Sequence, residues 1–383
     1  MKLQLLNKIA PVGLAQLGAD YETGADLADP DGILVRSASL HDMAFGEHLA
    51  AIARAGAGVN NIPVDRCSAA GIVVFNTPGA NATGVKELAI CALLLAARDI
   101  LGGVEWVKGL PAGELAKQVE KGKSAFAGQE LAGRTLGVIG LGAIGGLIAN
   151  SALALGMRVI GCDPFLSVEG AWKLDHRVVR AATFDEIFAA SDYITLHVPA
   201  TKDTAGMISA ASIAKMKDGV RLVNLARADL VCAADLRAAL ESGKVARYVT
   251  DFPTDDMAGA PNAILIPHLG ASTEESENNC AVMAARELDD YLKNGNIRNS
   301  VNYPNLDQPR TGAARICVLH ANIPAVISGV TTALAAARLN IENMTNKSKG
   351  DNAYTVLDVS SPPPEAVLAS IRALPGVLRV RTV

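Results

Sequence analysis

The sequence predicts a doubly wound α/β protein with a small α+β domain at its C-terminal end. Between residues 130 and 270, short β-branched runs alternate with helical segments, a rhythm that is typical of a parallel sheet. Half of the 383 residues are hydrophobic but only 4% are aromatic, which indicates a core of aliphatic side chains, as in parallel sheets. A glycine-rich turn directly after one strand favours the nucleotide-binding form of this fold.

This turn connects the predicted strand Leu136–Ile139 to a helix and reads Gly140-x-Gly142-x-x-Gly145. In this pattern the first glycine permits a tight turn, and the second lets a pyrophosphate approach the backbone. The third lets the helix pack closely on its strand. The N–H groups at the start of the helix then attract phosphate.

Asp163 ends the next predicted strand, 18 residues after Gly145. This is near the ~20 residues expected for a carboxylate that accepts a hydrogen bond from a ribose 2′-hydroxyl. A carboxylate would repel a 2′-phosphate, so the sequence favours NAD over NADP. The alternative is a transmembrane helix over the apolar residues 136–157. It is disfavoured because five glycines crowd its first half and the following strand ends in a charged residue.

Composition narrows the class of protein further. The net charge is -4 and no basic block is present, which disfavours nucleic-acid binding. The six cysteines lie far apart, so reduced thiols are expected rather than disulfides or a zinc site. No spacing of His, Cys and carboxylates indicates a metal. The N-terminus lacks a signal-peptide pattern, and we expect a cytoplasmic protein with no membrane segment.

The remaining elements follow from local patterns. In residues 1–95, strands are predicted at 32–36, 51–54 and 72–75, and a helix at 85–97. The regular central region predicts strands at 136–139, 158–162, 193–198, 221–225, 248–251 and 264–266. A long helix is predicted at 274–293 and a proline-containing linker at 302–312. Residues 315–383 show a strand–helix–strand–strand–helix–strand order, which predicts a separate α+β domain.

Three strand ends carry side chains suited to oxidising a hydroxy acid. Arg227 follows one strand, Asp251 and Asp255 follow the next, and His268 follows the last. Arginine binds a carboxylate bidentately, histidine can take a hydroxyl proton near neutral pH, and a carboxylate can orient the imidazole. Ligands of such sheets bind at the carboxyl ends of the strands, so these are candidate catalytic residues.

These segments resemble the D-isomer-specific 2-hydroxyacid dehydrogenases over nearly the whole chain. The matching pieces are residues 136–145, LHVPATKDTAGMI at 196–208, LVNLAR at 222–227 and IPHLGASTEES at 266–276.

The resemblance implies that Arg227 binds substrate, that His268 is the acid/base and that Asp251 contacts the nicotinamide. The family's D-V-F-x-x-E-P is shortened here to a pattern that starts at Asp251 and places Asp255 where the orienting glutamate is found.

The resemblance also implies a domain arrangement. A Rossmann-like NAD domain at 96–273 is inserted in a flavodoxin-like substrate domain formed by 1–95 and 274–300. A linker at 301–313 leads to a ferredoxin-like ACT domain at 314–383, a regulatory module. The implied NAD-binding residues are Thr77, Gly140, Gly142, Ala143, Ile144, Gly145, Asp163, His197, Val198, Pro199, Thr204, Leu225, Ala226, Arg227, Asp251, His268, Gly270 and Ala271.

Substrate and effector sites are implied in the same way. Arg36 and Ser37 resemble a pair that holds a phosphate, Gly58 and Val59 resemble a backbone cradle for a carboxylate, and Asn81 lies on a nearby loop. In the last domain, His320 and Asn322 belong to an H-x-N-x-P turn that resembles an L-serine site. The turn could instead serve assembly alone, and both alternatives stay open, because Ala325 replaces the glycine expected there.

The implied function is NAD-dependent oxidation of 3-phospho-D-glycerate to 3-phosphohydroxypyruvate, the first step of L-serine biosynthesis, by a homodimer or homotetramer. One alternative is another reaction of the same family, on glyoxylate, hydroxypyruvate, 2-hydroxyglutarate or D-lactate. A second alternative is an NAD-sensing scaffold without catalysis.

Overall fold

The computed structural model describes all residues, 1–383, and divides them into two compact units. Residues 1–81 and 274–383 form the first unit, and residues 82–273 form the second. The second unit is therefore inserted in the sequence of the first. The boundary lies at residue 81 rather than 95, and residues 314–383 are part of the first unit.

The first unit opens with a five-stranded parallel sheet of strand order β2-β1-β3-β4-β5. This order is the flavodoxin-like one. The three strands predicted from the sequence are present, whereas β1 and β2 were not predicted. The elements of residues 1–81 are β1 (Lys2–Leu6), α1 (Pro11–Leu14), β2 (Glu22–Gly24), β3 (Gly32–Val35), β4 (Ala51–Arg54), α2 (Val64–Ala69) and β5 (Val73–Phe75).

The second unit contains a seven-stranded parallel sheet of order β12-β11-β10-β9-β6-β7-β8. β6 lies inside the sheet, with β7 and β8 on one side and β9 to β12 on the other. This is the strand order of a doubly wound dinucleotide-binding fold with one strand added at the edge formed by β12. The elements are α3 (Ala82–Ala97), α4 (Ile100–Lys108), α5 (Leu115–Gly122), β6 (Thr135–Ile139), α6 (Ala143–Ala154), β7 (Arg158–Cys162), α7 (Val168–Trp172), β8 (Val179–Arg180), α8 (Phe184–Ala190), β9 (Tyr193–Leu196), α9 (Ala210–Lys215), β10 (Val220–Asn224), α10 (Ala233–Glu241), β11 (Val245–Thr250) and β12 (Ala263–Leu265).

Helix α3 explains why the boundary lies earlier than expected. Its buried alanines share one core with α6, so the helix belongs to the second unit. Small side chains let two helices approach closely, which makes this contact favourable. The alanines at the contact include Ala89, Ala92, Ala149 and Ala152.

The last segment adds a long helix and a four-stranded antiparallel sheet of order β14-β15-β13-β16. The predicted βαββαβ order is confirmed. The elements are α11 (Glu274–Asn294), β13 (Ala314–Ala321), α12 (Val326–Ala336), β14 (Ile341–Lys349), β15 (Asn352–Val359), α13 (Glu365–Arg372) and β16 (Val377–Thr382). None of the helices in the chain combines the length and the apolar character that a membrane span requires.

The terminal sheet is not a separate body on a flexible linker. Cys317 and Tyr354 from this sheet lie in one hydrophobic core with Phe75 of β5 and Tyr291 of α11. The expected linker is packed as well, because the side chain of Asn302 bonds to the neighbouring segment 72–74. It accepts from Val74 N at 2.9 Å and donates to the carbonyl oxygen of Ile72 at 2.9 Å.

A fully buried ion pair fixes the terminal sheet. Both side chains of Arg315 and Asp358 are inaccessible to solvent, and Arg315 Nε lies 2.6 Å from Asp358 Oδ1. Arg315 Nη1 also donates to the Asn294 carbonyl at the end of α11, and Gln308 Nε2 donates to Asp358 Oδ2. One network therefore joins α11, the segment before β13 and the terminal sheet.

Replacement of Asp358 by Ala should destabilise the protein by about 3–5 kcal/mol, because Arg315 would be left as an uncompensated buried charge. Burial alone would raise the pKa of Asp358. Hydrogen bonds from the Arg315 guanidinium and the Gln308 amide outweigh this effect and lower the pKa to about 2. The contribution of Asp358 to stability should therefore be complete at neutral pH and be lost as the pH falls from its ordinary pKa of 3.8 through 2.

Urea unfolding at pH 7 and at pH 3 measures this effect. Asp307→Ala removes an exposed pair with Arg298 and serves as the control, with an expected cost below about 1 kcal/mol. Equal losses in the two variants would contradict the assignment.

Candidate active site

The glycine-rich turn lies at the carboxyl end of β6. Gly140 has a positive φ of 88°, and a Cβ there would come within 2.5 Å of the His197 carbonyl oxygen. A Cβ on Gly145 would lie only 1.9 Å from the Gly140 carbonyl oxygen. By contrast, a Cβ on Gly142 would meet nothing within 4 Å. The predicted turn is thus tight on its protein side and open above Gly142.

Helix α6 starts at this open side. No side chain caps its N-terminus at Gly142, and the first N–H groups of a helix have no partner within the helix. The amides of Ala143, Ile144 and Gly145 belong to this first turn. Together with the helix dipole they form a cradle suited to a pyrophosphate.

Asp163 lies beside this turn, directly after β7. Its Oδ2 accepts from Leu141 N at 2.9 Å, and its Oδ1 accepts from Phe165 N at 2.9 Å. Each carboxylate oxygen can accept more than one hydrogen bond. The carboxylate is therefore oriented by the turn and retains capacity for a hydroxyl donor, as its expected ribose role requires.

The loop after β9 adjoins the same turn. The backbone N–H of His197 donates to the Ile139 carbonyl oxygen at 2.8 Å, and the Val198 side chain approaches Gly140. Burial lowers the pKa of His197 to about 3, so its ring is neutral and bonds to the Thr195 hydroxyl at 2.7 Å. Farther along, Thr204 Oγ1 donates to the Pro199 carbonyl oxygen at 2.6 Å. The His197 ring therefore does not exchange protons near neutral pH.

The ends of β10, β11 and β12 bring Arg227 and His268 to one aromatic ring. The Arg227 guanidinium carbon lies 5.7 Å from the centre of the Phe252 ring, and the His268 ring lies 4.6 Å from that centre. The Asn224 side chain fixes the loop that carries Leu225 and Ala226, since its Oδ1 accepts from the amide of Ala226 at 3.1 Å. The predicted cation and the predicted acid/base are therefore neighbours.

Asp251 directly follows β11 and is only 1% exposed. Its Oδ2 accepts from Gly270 N at 3.2 Å, which also fixes the loop leading to Ala271, whereas its Oδ1 has no partner. Burial raises the pKa of this carboxyl. An unpaired buried oxygen is costly, and an amide N–H of a bound ligand would satisfy it. This orphaned oxygen fits the carboxamide that the nicotinamide role implies.

Asp255 is not paired with His268. It begins a single 3-10 turn, Asp255–Met257, and its side chain is exposed. No hydrogen bond or ion pair joins the two side chains, so the expected carboxylate–imidazole contact stays a prediction.

The residues expected to bind substrate belong to the first unit. The Arg36 guanidinium pairs with Glu277 of α11 at 2.6 Å, and Ser37 N donates to Asn7 Oδ1 at 2.9 Å. Thr77 is fully buried, and the buried Oδ1 of Asn81 has no partner. Thr77, expected at the cofactor, belongs to the first unit.

Two further residues bear on the site. Arg54, the last residue of β4, donates from Nη1 to the Gly58 carbonyl oxygen at 2.5 Å and from Nε to the Arg36 carbonyl oxygen at 2.9 Å. It holds the cradle that includes Val59. Phe252 provides the ring between Arg227 and His268. Neither residue was predicted from the sequence. Arg54 could have been found from its position at the end of a predicted strand, whereas no sequence pattern indicates the contacts of Phe252.

The turn at the start of the terminal domain carries His320 and Asn322, the residues implied to bind an effector. His320 is 3% exposed; its Nδ1 bonds to the Ala321 carbonyl oxygen and its Nε2 to the Thr355 hydroxyl. Asn322 donates from Nδ2 to the Gly350 carbonyl oxygen at 3.1 Å. Ala325 adopts the left-handed φ of 71°, which costs a non-glycine residue about 1–2 kcal/mol. Both ring nitrogens of His320 are therefore bonded within the protein.

Comparison with known proteins adds an independent line of observation. Residues 91–270 match the family model of the D-isomer specific 2-hydroxyacid dehydrogenase, NAD binding domain. The chain is 38% identical over 290 residues to D-3-phosphoglycerate dehydrogenase of Archaeoglobus fulgidus. The aligned region covers 72% of this chain and 52% of the relative. It is 37% identical over 284 residues to the Bacillus subtilis protein of that name, with the same coverage. The chain spans about half the length of these relatives.

Solved structures agree with the fold. The NAD+-bound 3-phosphoglycerate dehydrogenase of Entamoeba histolytica superposes with a TM-score of 0.62 at 27% identity, covering 80% of this chain and 99% of that one. D-Mandelate dehydrogenase of Rhodotorula graminis reaches a TM-score of 0.67 at 24% identity over 80% of this chain and 99% of that one. The second likeness extends to the fold alone.

Because the turn is open at Gly142 and closed at Gly145, adding one methyl group should affect cofactor binding at the first position and stability at the second. Gly142→Ala should leave the unfolding midpoint unchanged but weaken NADH binding at least about tenfold, because the new Cβ points to the space above the helix. Gly145→Ala should instead lower the unfolding midpoint, because its Cβ meets the Gly140 carbonyl oxygen. Thermal unfolding and NADH fluorescence titration measure both. Unchanged NADH affinity in Gly142→Ala would contradict the cradle.

Proposed function

Because the chain belongs to the D-isomer specific 2-hydroxyacid dehydrogenase family, we propose that it oxidises 3-phospho-D-glycerate with NAD. The observation that carries the proposal is the grouping of Arg227, His268 and the orphaned Asp251 oxygen at one edge of the sheet that bears the glycine-rich turn. The relatives' names support the choice of substrate, and the product would be 3-phosphohydroxypyruvate.

The cofactor side of the proposal rests on four groups. The amides at Gly142–Gly145 would receive the pyrophosphate, and Asp163 would accept from the ribose. The buried Oδ1 of Asp251 would accept from the carboxamide. NAD, when bound, supplies the acceptor for the hydride. A carboxylate at Asp163 favours NAD over NADP, since it would repel a 2′-phosphate.

The chemical step assigns one task to each side chain at the strand ends. His268 takes the proton of the C2 hydroxyl as the carbonyl forms, because an imidazole exchanges protons near neutral pH. Arg227 binds the substrate carboxylate and stabilises the developing carbonyl oxygen by charge. The Phe252 ring lies against both groups and would help to hold them in place. Asp255 remains the candidate to orient His268.

The residues proposed to bind the substrate acid are Arg36, Ser37, Gly58, Val59 and Asn81.

One observation favours a second candidate function, the reduction of an unphosphorylated 2-keto acid such as glyoxylate or hydroxypyruvate. The Arg36 charge is already paired with Glu277, which reduces its value for a substrate phosphate. Arg54, at the adjacent strand end, supports the phosphorylated substrate because it adds a second positive charge near the cradle.

We further propose a cytoplasmic homodimer or homotetramer. The six cysteines are free thiols, which fits a reducing compartment. Helices α4 and α5 have no buried residue, and their exposed apolar side chains form a surface that a second copy would cover. These side chains are Ile100, Leu101, Val104, Val107 and Leu115.

The role of L-serine stays a separate question. The bonded ring nitrogens of His320 leave Asn322 and the backbone as contacts for an effector at that turn. Addition of L-serine to the activity assay distinguishes an effector site from a turn that serves assembly alone.

His268→Asn should lower kcat for 3-phospho-D-glycerate by about 100-fold or more, the usual worth of a general base, and leave NADH affinity within about threefold. Asp255→Asn should cost less, because a residue that orients His268 does not itself take the proton. The measurement is NADH formation with 3-phospho-D-glycerate, with D-lactate and D-2-hydroxyglutarate in parallel. Full activity of His268→Asn would refute the mechanism.

Other outcomes of the same assay separate the alternatives. A preference for an unphosphorylated acid would favour the second candidate function. NADH binding without turnover of any acid would favour an NAD-sensing scaffold.

Val104→Asp should convert the oligomer to a smaller species, because it places a charge on the apolar surface of α4. Light scattering after size-exclusion chromatography measures the mass. Lys215→Asp, at an exposed lysine of helix α9 and so outside α4 and α5, controls for added negative charge. An unchanged mass in Val104→Asp would argue against this interface.

A further inference from the structure

A polar groove in the first unit has no role in the chemistry described above. Its volume is about 570 Å³, within the range of small-molecule sites. Side-chain amides and hydroxyls and one ammonium group dominate its lining, and no acidic side chain lines it. The polar lining residues are Asn76, Asn299, Ser300, Asn305, Ser348 and Lys349.

The charge of the groove favours an anion. Lys349 Nζ donates to the Ser300 carbonyl oxygen at 2.9 Å, and an ammonium group has three N–H donors, so two remain. One acid, Glu287, is bonded to a lining residue, since its Oε1 accepts from Asn299 Nδ2 at 2.6 Å. Burial raises the pKa of Glu287 to about 8. At neutral pH most of it is protonated and does not offset the Lys349 charge.

The groove is bonded directly to the substrate cradle at Ala57–Val59. Asn76 Nδ2 donates to the Ala57 carbonyl oxygen at 2.6 Å. On its other side, Asn76 N donates to the Asn299 carbonyl oxygen at 3.4 Å, and Phe75 and Ser300 form an antiparallel bridge. One wall of the groove therefore holds the cradle.

The opposite wall is held by the terminal domain. The turn that follows Lys349 is fixed by Asn322, whose backbone N–H donates to the Asp351 carbonyl oxygen at 2.8 Å. Asn352 Nδ2 donates to the Asn302 carbonyl oxygen at 2.9 Å. A ligand that bridges Lys349 and Asn76 would thus join the terminal domain to the cradle.

We propose that this groove is a second binding site, for a small carboxylate that carries a hydroxyl or amino group, and that its occupant adjusts the cradle through Asn76. The ammonium selects the carboxylate, and the asparagine amides, which donate and accept, match a hydroxyl or amino group. The effect on catalysis rests on the proposed function, whereas binding does not.

The test compares two lysines of the same strand. Lys349→Met removes the cation of the groove, and Lys347→Met removes a neighbouring exposed lysine that does not line it. Isothermal titration of the full chain with L-glycerate and with L-serine separates the hydroxy acid from the amino acid, and inorganic phosphate tests for anion binding alone. Thermal unfolding confirms that both variants fold.

At least one of the two acids should bind the unaltered protein and Lys347→Met equally. Its Kd should rise about tenfold or more in Lys349→Met, as expected for loss of a charged hydrogen-bond donor. Its presence should change the KM for 3-phospho-D-glycerate and leave kcat and NADH affinity unaltered.

Absence of binding by both acids, equal binding by Lys349→Met, or binding by phosphate alone would overturn the site. Binding without any change in KM would overturn the coupling to the cradle. If the protein turns over no hydroxy acid, the proposed function fails, but the binding comparison still decides whether the site exists.

Discussion

Parallel pairing in the seven-stranded sheet is the constraint on which the candidate active site depends. Because all strands run in one direction, their carboxyl ends lie at the same edge. The loops at that edge carry the glycine-rich turn, Asp163, Asp251 and His268, which are far apart in the sequence. The neighbouring positions of β6 and β9 also press the His197 carbonyl against Gly140, so the conformation of one loop limits that of the next.

Close packing of small side chains supports this arrangement. Helix α6 can begin directly over β6 only because residue 145 has no Cβ, and α3 reaches α6 through alanines. A chain with few aromatic residues builds its core from such contacts, and added volume at them is costly. The same tight packing leaves Asp251 with a buried, unpaired oxygen. An unpaired buried oxygen costs stability, and under the proposed function the bound cofactor would supply its missing partner.

The terminal domain is part of the first unit's core rather than an appended module. The buried pair of Arg315 and Asp358, the shared core around Tyr291 and the side chain of Asn302 all join it to neighbouring segments. A ligand or a substitution in this domain therefore affects groups that are packed against, and hydrogen-bonded to, the rest of the first unit. Such rigidity is what the proposed coupling between the polar groove and residues 57–59 requires.

The sequence by itself determined the fold class, the glycine-rich turn, Asp163 and the strand-end positions of Arg227 and His268, because these depend on local periodicity and on motif spacing. It also gave the βαββαβ order of the last domain. Only the tertiary structure decided that α3 belongs to the second unit, that residues 301–313 are packed, that Phe252 lies between Arg227 and His268, and that the His320 ring is bonded internally. Each of these depends on contacts between residues distant in sequence, which periodicity and spacing do not encode. The pairing of Arg36 with Glu277 is of the same kind, since a helix that follows more than 200 residues later provides the carboxylate.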